Sequence, residues 1–327
     1  MVDPLSKAER NAGFALRSFR RAIWLTAAVL AVLLVVFAGY YYWDRYANPL
    51  VRAKDKAPVE MRIEMIEEAI RKDPQNPEKR VALAEAYLQN GMAQQALDQA
   101  TQVLKFYPEN EGALLVSGNA LVRLGQADRA LAPLEQFIAL RARKSVADAD
   151  TRQETAYYFL GEAELKLGHY DKAIAALQAA LAIDPVDADA LYQVGLAYQA
   201  SGQPKIALDR LSKAARLVPD FAEVYAALDR VYADLGQPDH QAYARGMQAF
   251  ARGNSAAALP QLEQATRQLP DFAPAFLGLG LAYEKAGRQA DALKAVQRAL
   301  ELTPHDFCAQ QAYGRLQAGL DTRQRQP

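Results

Sequence analysis

The sequence predicts an all-α chain, a stack of helical hairpins preceded by one membrane-spanning helix. Two observations predict it. Glycines stand 34 residues apart in long series (Gly91 and Gly125; Gly168, Gly202 and Gly236; Gly253 and Gly287), inside a wider pattern of alanine, tyrosine and proline. Residues 22–43 carry no charged side chain. A third observation bounds the function. The chain is 51% hydrophobic and 23% charged, enough to bury a core, and its formal net charge is zero. A balanced charge argues against general polyanion binding, so no nucleic-acid partner is expected. Cys308 is the only cysteine, which excludes an intrachain disulfide and a cysteine-rich metal site.

The chain begins with a basic segment, residues 1–21, expected in the cytoplasm. Leu5, Phe14, Leu16 and Phe19 lie among its basic residues, so a short interfacial helix and a disordered basic tail are both open readings. The stretch AIWLTAAVLAVLLVVFAGYYYW at 22–43 follows. As a helix it would span roughly 33 Å, enough for a hydrocarbon core. Arg20, Arg21 and Trp24 mark its near interface, and Tyr40, Tyr41, Tyr42 and Trp43 its far one, where amphipathic rings favour the headgroup layer. Small residues at Val36-Phe37-Ala38 make a cleaved signal peptide the rival reading. The length of the run and its aromatic end favour a retained anchor. Basic residues flank both sides (Lys7, Arg10 and Arg17 before; Arg45, Arg52, Lys54 and Lys56 after), so the orientation bias is small. The Arg20-Arg21 pair places the N-terminus in the cytoplasm and the rest outside. The expected location is therefore the cytoplasmic (inner) membrane, single-pass, with the helical array periplasmic. Residues 44–58 read as a linker.

From residue 59 the repeat takes over. The stretch GLGLAYEKAGRQADALKAVQRALELTP carries Gly280, Tyr283, Gly287, Ala292, Ala299 and Pro304. VGLAYQASGQPKIALDRLSKAARLVP places Gly195, Tyr198, Gly202, Ala207, Ala214 and Pro219 at the same offsets. Gly161, Gly168, Ala173, Ala180 and Pro185 repeat it, as do Ala84, Tyr87, Gly91, Ala96 and Pro108. Gly118, Gly125 and Ala130 form a copy without the closing proline. Small residues at the eighth and twentieth positions let two antiparallel helices approach closely. The glycine at the fifteenth supplies the left-handed conformation that ends the first helix. The proline at the thirty-second cannot continue the second helix. Each hairpin leaves an apolar face that the next one covers.

The pattern resembles the tetratricopeptide repeat (TPR) family, of the kind anchored in bacterial membranes, over roughly residues 59–320. The resemblance implies a right-handed superhelical solenoid with a concave, polypeptide-binding inner face. In register, a half-repeat covers 59–76, and repeats start at 77, 111, 154, 188, 222, 239 and 273. A cap helix at 306–319 and a disordered tail at 321–327 complete the chain. Nine extra residues around RARKSVADAD, 141–150, should lengthen a helix or make a protruding loop. The starts at 222 and 239 lie half a repeat apart, so one helix at about 239–252 serves where two are due, and a kink is expected there.

No catalytic constellation appears. His169, His240 and His305 fall at loops or helix starts and read as surface histidines; Cys308 reads as a packed small hydrophobe. No phosphate loop, zinc spacing or serine-nucleophile motif is present, so neither an enzyme, a cofactor, a metal nor a small-molecule substrate is expected. In the family the inner face is lined by set positions of each first helix. Here they are Val81, Glu85 and Leu88; Leu115, Asn119 and Arg123; Tyr158, Glu162 and Lys166; Tyr192, Leu196 and Gln199; Leu277, Leu281 and Glu284. The family's lysine–asparagine clamp for acidic chaperone C-termini is absent, because Val81 and Glu85 occupy its first two places. The expected function is a membrane-anchored scaffold or assembly factor binding a partner polypeptide, expected in a membrane-protein complex. The alternative is a permanent accessory subunit, with its membrane helix packed in that complex and its repeats clamping an extramembrane subunit.

Overall fold

The structure, a computed structural model, describes residues 58–143 and 151–324, and fifteen α-helices lie among them. The anchor 22–43, its interface residues, the basic segment and nearly all of the linker lie outside the described residues. None of the described helices is long and apolar enough to cross a membrane. The chain divides into two compact units, Met1–Pro74 and Gln75–Pro327. In the first, α1 (Pro58–Lys72) carries Glu60 in its first turn and Arg71 and Lys72 in its last, complementing the helix dipole. It stops two residues before Pro74.

The second unit is a helical solenoid. Its hairpins are α2 (Pro77–Gln89) with α3 (Ala93–Phe106), α4 (Glu111–Arg123) with α5 (Ala127–Ala142), and α6 (Thr151–Lys166) with α7 (Tyr170–Ile183). They continue with α8 (Ala188–Ala200) and α9 (Pro204–Leu217), then α10 (Ala222–Asp234) and α11 (Pro238–Ala251). The last helices are α12 (Ser255–Gln268), α13 (Ala273–Lys285), α14 (Gln289–Leu302) and α15 (Phe307–Gln324). Side-chain caps start several of them. Asn76 Oδ1 accepts from the amides of Glu78 and Lys79 at 3.0 and 3.1 Å, and Asp187 Oδ1 from those of Asp189 and Ala190 at 2.9 and 3.2 Å.

The turn glycines take the conformation their spacing predicts: Gly168 and Gly202, for example, have φ of 78° and 77°. The eighth-position glycines are closed from the other side. A Cβ on Gly118 would lie 2.4 Å from Leu134 Cγ, and one on Gly161 the same distance from Leu177 Cγ. Gly195, Gly246 and Gly280 meet Leu211, Leu262 and Val296 likewise. Each contact joins the eighth position of a hairpin to its twenty-fourth. The resulting cores run along the stack, and the largest includes buried residues from Ala173 to Ala295.

Two hairpins lack this contact, and the first has the buried pair Ala84 and Ala100 at these positions. In the unit beginning at Ala222 the eighth and twenty-fourth positions are Asp229 and Arg245, and their side chains form an ion pair at 3.0 Å that faces solvent. Gln241 Nε2 also donates to Asp229 Oδ1 at 3.0 Å. α11 still packs along α10, but without that glycine–leucine contact. Instead Gly246 on α11 receives Leu262 of α12, so α11 is also the first helix of the next hairpin. It packs against α10, α12 and α13.

Helix ends follow the sequence reading at the insertion and differ from it at the C-terminus. Around the insertion both helices are extended: α5 runs to Ala142 and α6 begins at Thr151, three residues before the unit start, while residues 144–150 lie outside the described residues. At the C-terminus α15 continues to Gln324, through four residues expected in a disordered tail. No proline interrupts the chain between Phe307 and Gln324, so nothing in the sequence stops the helix there.

Candidate functional site

First helices of successive hairpins pack against one another in sequence order, α2 on α4, α4 on α6, α6 on α8 and α8 on α10. Side chains selected from the sequence make several of the links. The Arg123 guanidinium donates to Asn119 Oδ1 at 2.8 Å and to the Leu88 carbonyl on the preceding first helix at 3.4 Å. Lys166 Nζ repeats the move one hairpin later, donating to the Val122 carbonyl at 3.3 Å while pairing with Glu162 at 2.8 Å. Both cations sit at helix C-termini, where free carbonyls and the dipole favour them. Gln199 Nε2 donates to Asp234 at 2.7 Å, linking α8 to α10. Farther on, Arg315 on α15 forks onto both oxygens of Glu284 at 2.8 Å.

Val81 and Leu88 are buried in the core of the first hairpins. Glu85, Leu115, Asn119, Arg123, Tyr158, Glu162, Lys166, Tyr192, Leu196 and Gln199 keep solvent-accessible surface along the row. Tyr158 and Tyr192 form its aromatic centre. Tyr158 stands edge-on to Phe159 with ring centroids 5.2 Å apart, and Tyr192 tilts against Phe221 at the same separation. Burial, then the charge of Glu162, pushes the Tyr158 hydroxyl up to about 12. Burial raises Tyr192 as well, so both stay neutral donors at physiological pH. Leu277, Leu281 and Glu284 are accessible too, but they lie beyond the shared helix α11.

Two acidic features border the row. Glu154, at the start of α6, stands beside the N-cap Asp187 of α8; burial and then the Asp187 charge push its carboxyl up to about 7 from 4.5. A raised folded value favours the protonated fold. That stability is fully present below pH 4.5 and is lost as pH rises through 7. Glu154→Gln is therefore expected to raise the melting temperature relative to wild type at pH 8, with the advantage shrinking toward pH 4.5. Solvent screening keeps the effect to about 1 kcal/mol; equal pH profiles for the two proteins would refute it. The other feature is Glu164, whose carboxylate is buried inside α6 and meets His169 Nδ1 at 2.6 Å and Lys172 Nζ at 3.8 Å.

The shared helix creates a site that the row does not contain. A cavity of about 830 Å³ opens among α9, α10, α11, α13 and the turn between α14 and α15. Its aromatic lining includes Tyr225, Tyr232, Tyr243 and Phe272. Tyr243 stands edge-on to both Tyr225 and Phe272, with centroids 6.1 and 5.1 Å apart. Burial raises all three tyrosines far above their ordinary range. His240, expected at the surface, instead lies half-buried between the Tyr232 and Phe272 rings, each 5.0 Å away, because α11 turns that face inward. Burial lowers its imidazole, which stays neutral at pH 7. His305 also lines the cavity, whereas His169 remains exposed beside Glu164. Cys308 is only partly buried. Its thiol lies 3.8 Å from the Arg216 carbonyl, ninety-two residues away in sequence, and closes one end of the space. Leu277 and Leu281 line the opposite wall.

Of these cavity residues, only Leu277 and Leu281 were read from the sequence as site residues, as part of the concave face. The available signal was the half-repeat offset between units 222 and 239, which marks the irregular packing but not the space beneath it.

Comparison with known proteins gives the repeats their family. Residues 161–202 match the family model described as TPR repeat, and residues 243–307 the one described as tetratricopeptide repeat. TPR repeats are thus present in the chain, and the second match runs from the shared helix onward. The bovine (Bos taurus) BBSome complex member BBS4 is 28% identical over 173 residues, 53% of this chain and 32% of its own length. Cellulose synthase operon protein C of Escherichia coli (strain K12) is 38% identical over 71 residues, 22% of this chain and 6% of its own. The chain therefore spans about a third or less of these relatives. A crystal structure of MamA aligns with a TM-score of 0.45 and 26% identity, covering 53% of this chain and 96% of that one.

Proposed function

We propose that these TPR repeats form a membrane-anchored scaffold or assembly factor that binds a partner polypeptide along the first-helix row. TPR repeats bind protein partners, and the observation that carries the reading for this chain is the row itself. Partly exposed Leu115, Tyr158, Tyr192 and Leu196 alternate there with Glu85, Asn119, Glu162 and Lys166. Apolar and aromatic surface between fixed polar groups suits an amphipathic helix or extended segment. The uncharged stretch 22–43 supports anchoring in the cytoplasmic membrane, with the N-terminus inside and the repeats outside. An anchored array of this kind serves a membrane-protein complex.

The test is gentle extraction of the tagged full chain, with identification and stoichiometry of what accompanies it. Aromatic anchors at interfaces contribute on the order of 1–2 kcal/mol each, so the Tyr158→Ala, Tyr192→Ala double variant is expected to recover at least tenfold less partner. Undiminished recovery by a folded variant would refute the row as the binding face. A fixed ratio to one complex after stringent washing would assign a permanent accessory subunit instead of an assembly factor. Protease protection of residues 141–150 in sealed inside-out vesicles, and cleavage in spheroplasts, is the pattern expected for the proposed orientation.

A further inference from the structure

We propose that the cavity beneath the shared helix α11 is a binding site for an uncharged small molecule with an apolar, ring-containing body and one or two hydrogen-bonding groups. The cavity is built differently from the first-helix row. Tyr225 and Leu228 on α10, with Tyr243 and Met247 on α11, line the middle. Leu208 and Ser212 on α9 line one side, and Leu277 and Leu281 on α13 the other. The α14–α15 turn closes an end where Cys308 meets the Arg216 carbonyl.

Three features select the ligand class. The volume, about 830 Å³, lies in the range of drug-sized ligand pockets and exceeds what one inserted side chain fills. The aromatic groups stand edge-on to one another with centroids 5.1 and 6.1 Å apart, an apolar, ring-rich wall that suits an apolar, ring-containing body. The formal charges at the lining are one of each sign, Arg216 and Asp306, so no net field favours an ion. Polar groups are few: the tyrosine hydroxyls, Ser212, Gln237 and the His240 imidazole can orient a neutral donor or acceptor. The half-repeat explains why such a site exists here. Other hairpins place a leucine or valine against a glycine, whereas this one has the solvent-facing Asp229–Arg245 pair, and α11 packs on α10, α12 and α13 at once.

The experiment is a fluorescence titration of the full chain, held in nanodiscs, with the neutral tricyclic probe 1-aminoanthracene and empty nanodiscs as the blank. Organic extracts of the purified protein are analysed in parallel by mass spectrometry. Ser212→Trp fills the cavity from α9 and Thr303→Trp from the α14–α15 turn; neither residue belongs to the first-helix row. The expected result is one saturable site in the wild type, at least tenfold weaker binding in either variant, and unchanged partner recovery. Circular dichroism melting identifies a variant that fails to fold, and the other variant then carries the comparison. No saturable binding to the wild type would overturn the proposal, as would undiminished binding by both folded variants. Loss of the polypeptide partner on filling the cavity, with no probe binding to the wild type, would assign the space to a partner side chain and overturn it also. Failure of the tyrosine row variants to lose partner would refute the row reading and leave this site standing.

Discussion

Gly118→Leu is expected to destabilise the helical array by about 3 kcal/mol, the upper end for overpacking a closed core. Even a Cβ at this position lies 2.4 Å from Leu134 Cγ and 2.5 Å from its Cδ2, and Leu134 is fully buried. The leucine cannot swing away without abandoning the α4–α5 contact. Chemical denaturation of the full chain, followed by helical circular dichroism, measures the effect. Gly125→Ala is the control. Its added Cβ meets nothing within 4 Å, so only the strain of a φ of 73° remains; that costs about 1 kcal/mol. The double variant Gly118→Ala, Leu134→Ala reproduces the pair of the first hairpin, Ala84 and Ala100, both fully buried; it relieves the overlap but loses the leucine's burial. Equal stability of Gly118→Leu and wild type would show that the contact does not hold the hairpin together.

His169→Ala is expected to cost about 2 kcal/mol at neutral pH, since it strips a buried charged group of its hydrogen-bond partner. Glu164 is 2% exposed and its shortest polar contact is the 2.6 Å bond to His169 Nδ1; Lys172, at 3.8 Å and largely in solvent, is a weaker substitute. Glu164→Gln in the His169→Ala background should restore most of the stability, because an amide is far less costly to bury than a lone carboxylate. Thermal melting of the two single variants and the double variant forms the cycle that tests this coupling. Additive losses would mean that His169 does not hold the Glu164 carboxylate.

The repeat contacts were legible because they are local and periodic. Gly161 and Ala173, or Gly195 and Ala207, are twelve residues apart in one hairpin, so both small residues can be read from a single window. The leucine at the twenty-fourth position, which fills the gap above the glycine, was not read. The left-handed glycines are legible for the same reason, since only the turn itself demands them. The row of first-helix side chains was partly legible. Its positions follow from the register, but Val81 and Leu88 proved to be core residues because neighbouring helices cover them. His240 and Cys308 were misplaced as surface histidine and packed hydrophobe. Each is set by residues elsewhere along the chain: the Phe272 ring stands edge-on to His240, and the Arg216 carbonyl meets Cys308.

By itself the sequence determined the helical class, the hairpin boundaries, the closing glycines and the presence of an uncharged stretch long enough to span a bilayer. It also marked the half-repeat, through two unit starts that lie too close together. Only the tertiary structure decided what that half-repeat makes. A repeat pattern encodes contacts between neighbours, whereas the space between Arg216 and Cys308 depends on how every helix from α9 to α15 turns against the next. The Asp229–Arg245 pair stands in this hairpin where others have a glycine–leucine contact. A cavity of about 830 Å³ lies among these helices, lined by tyrosines that the periodicity alone would assign to ordinary helix packing.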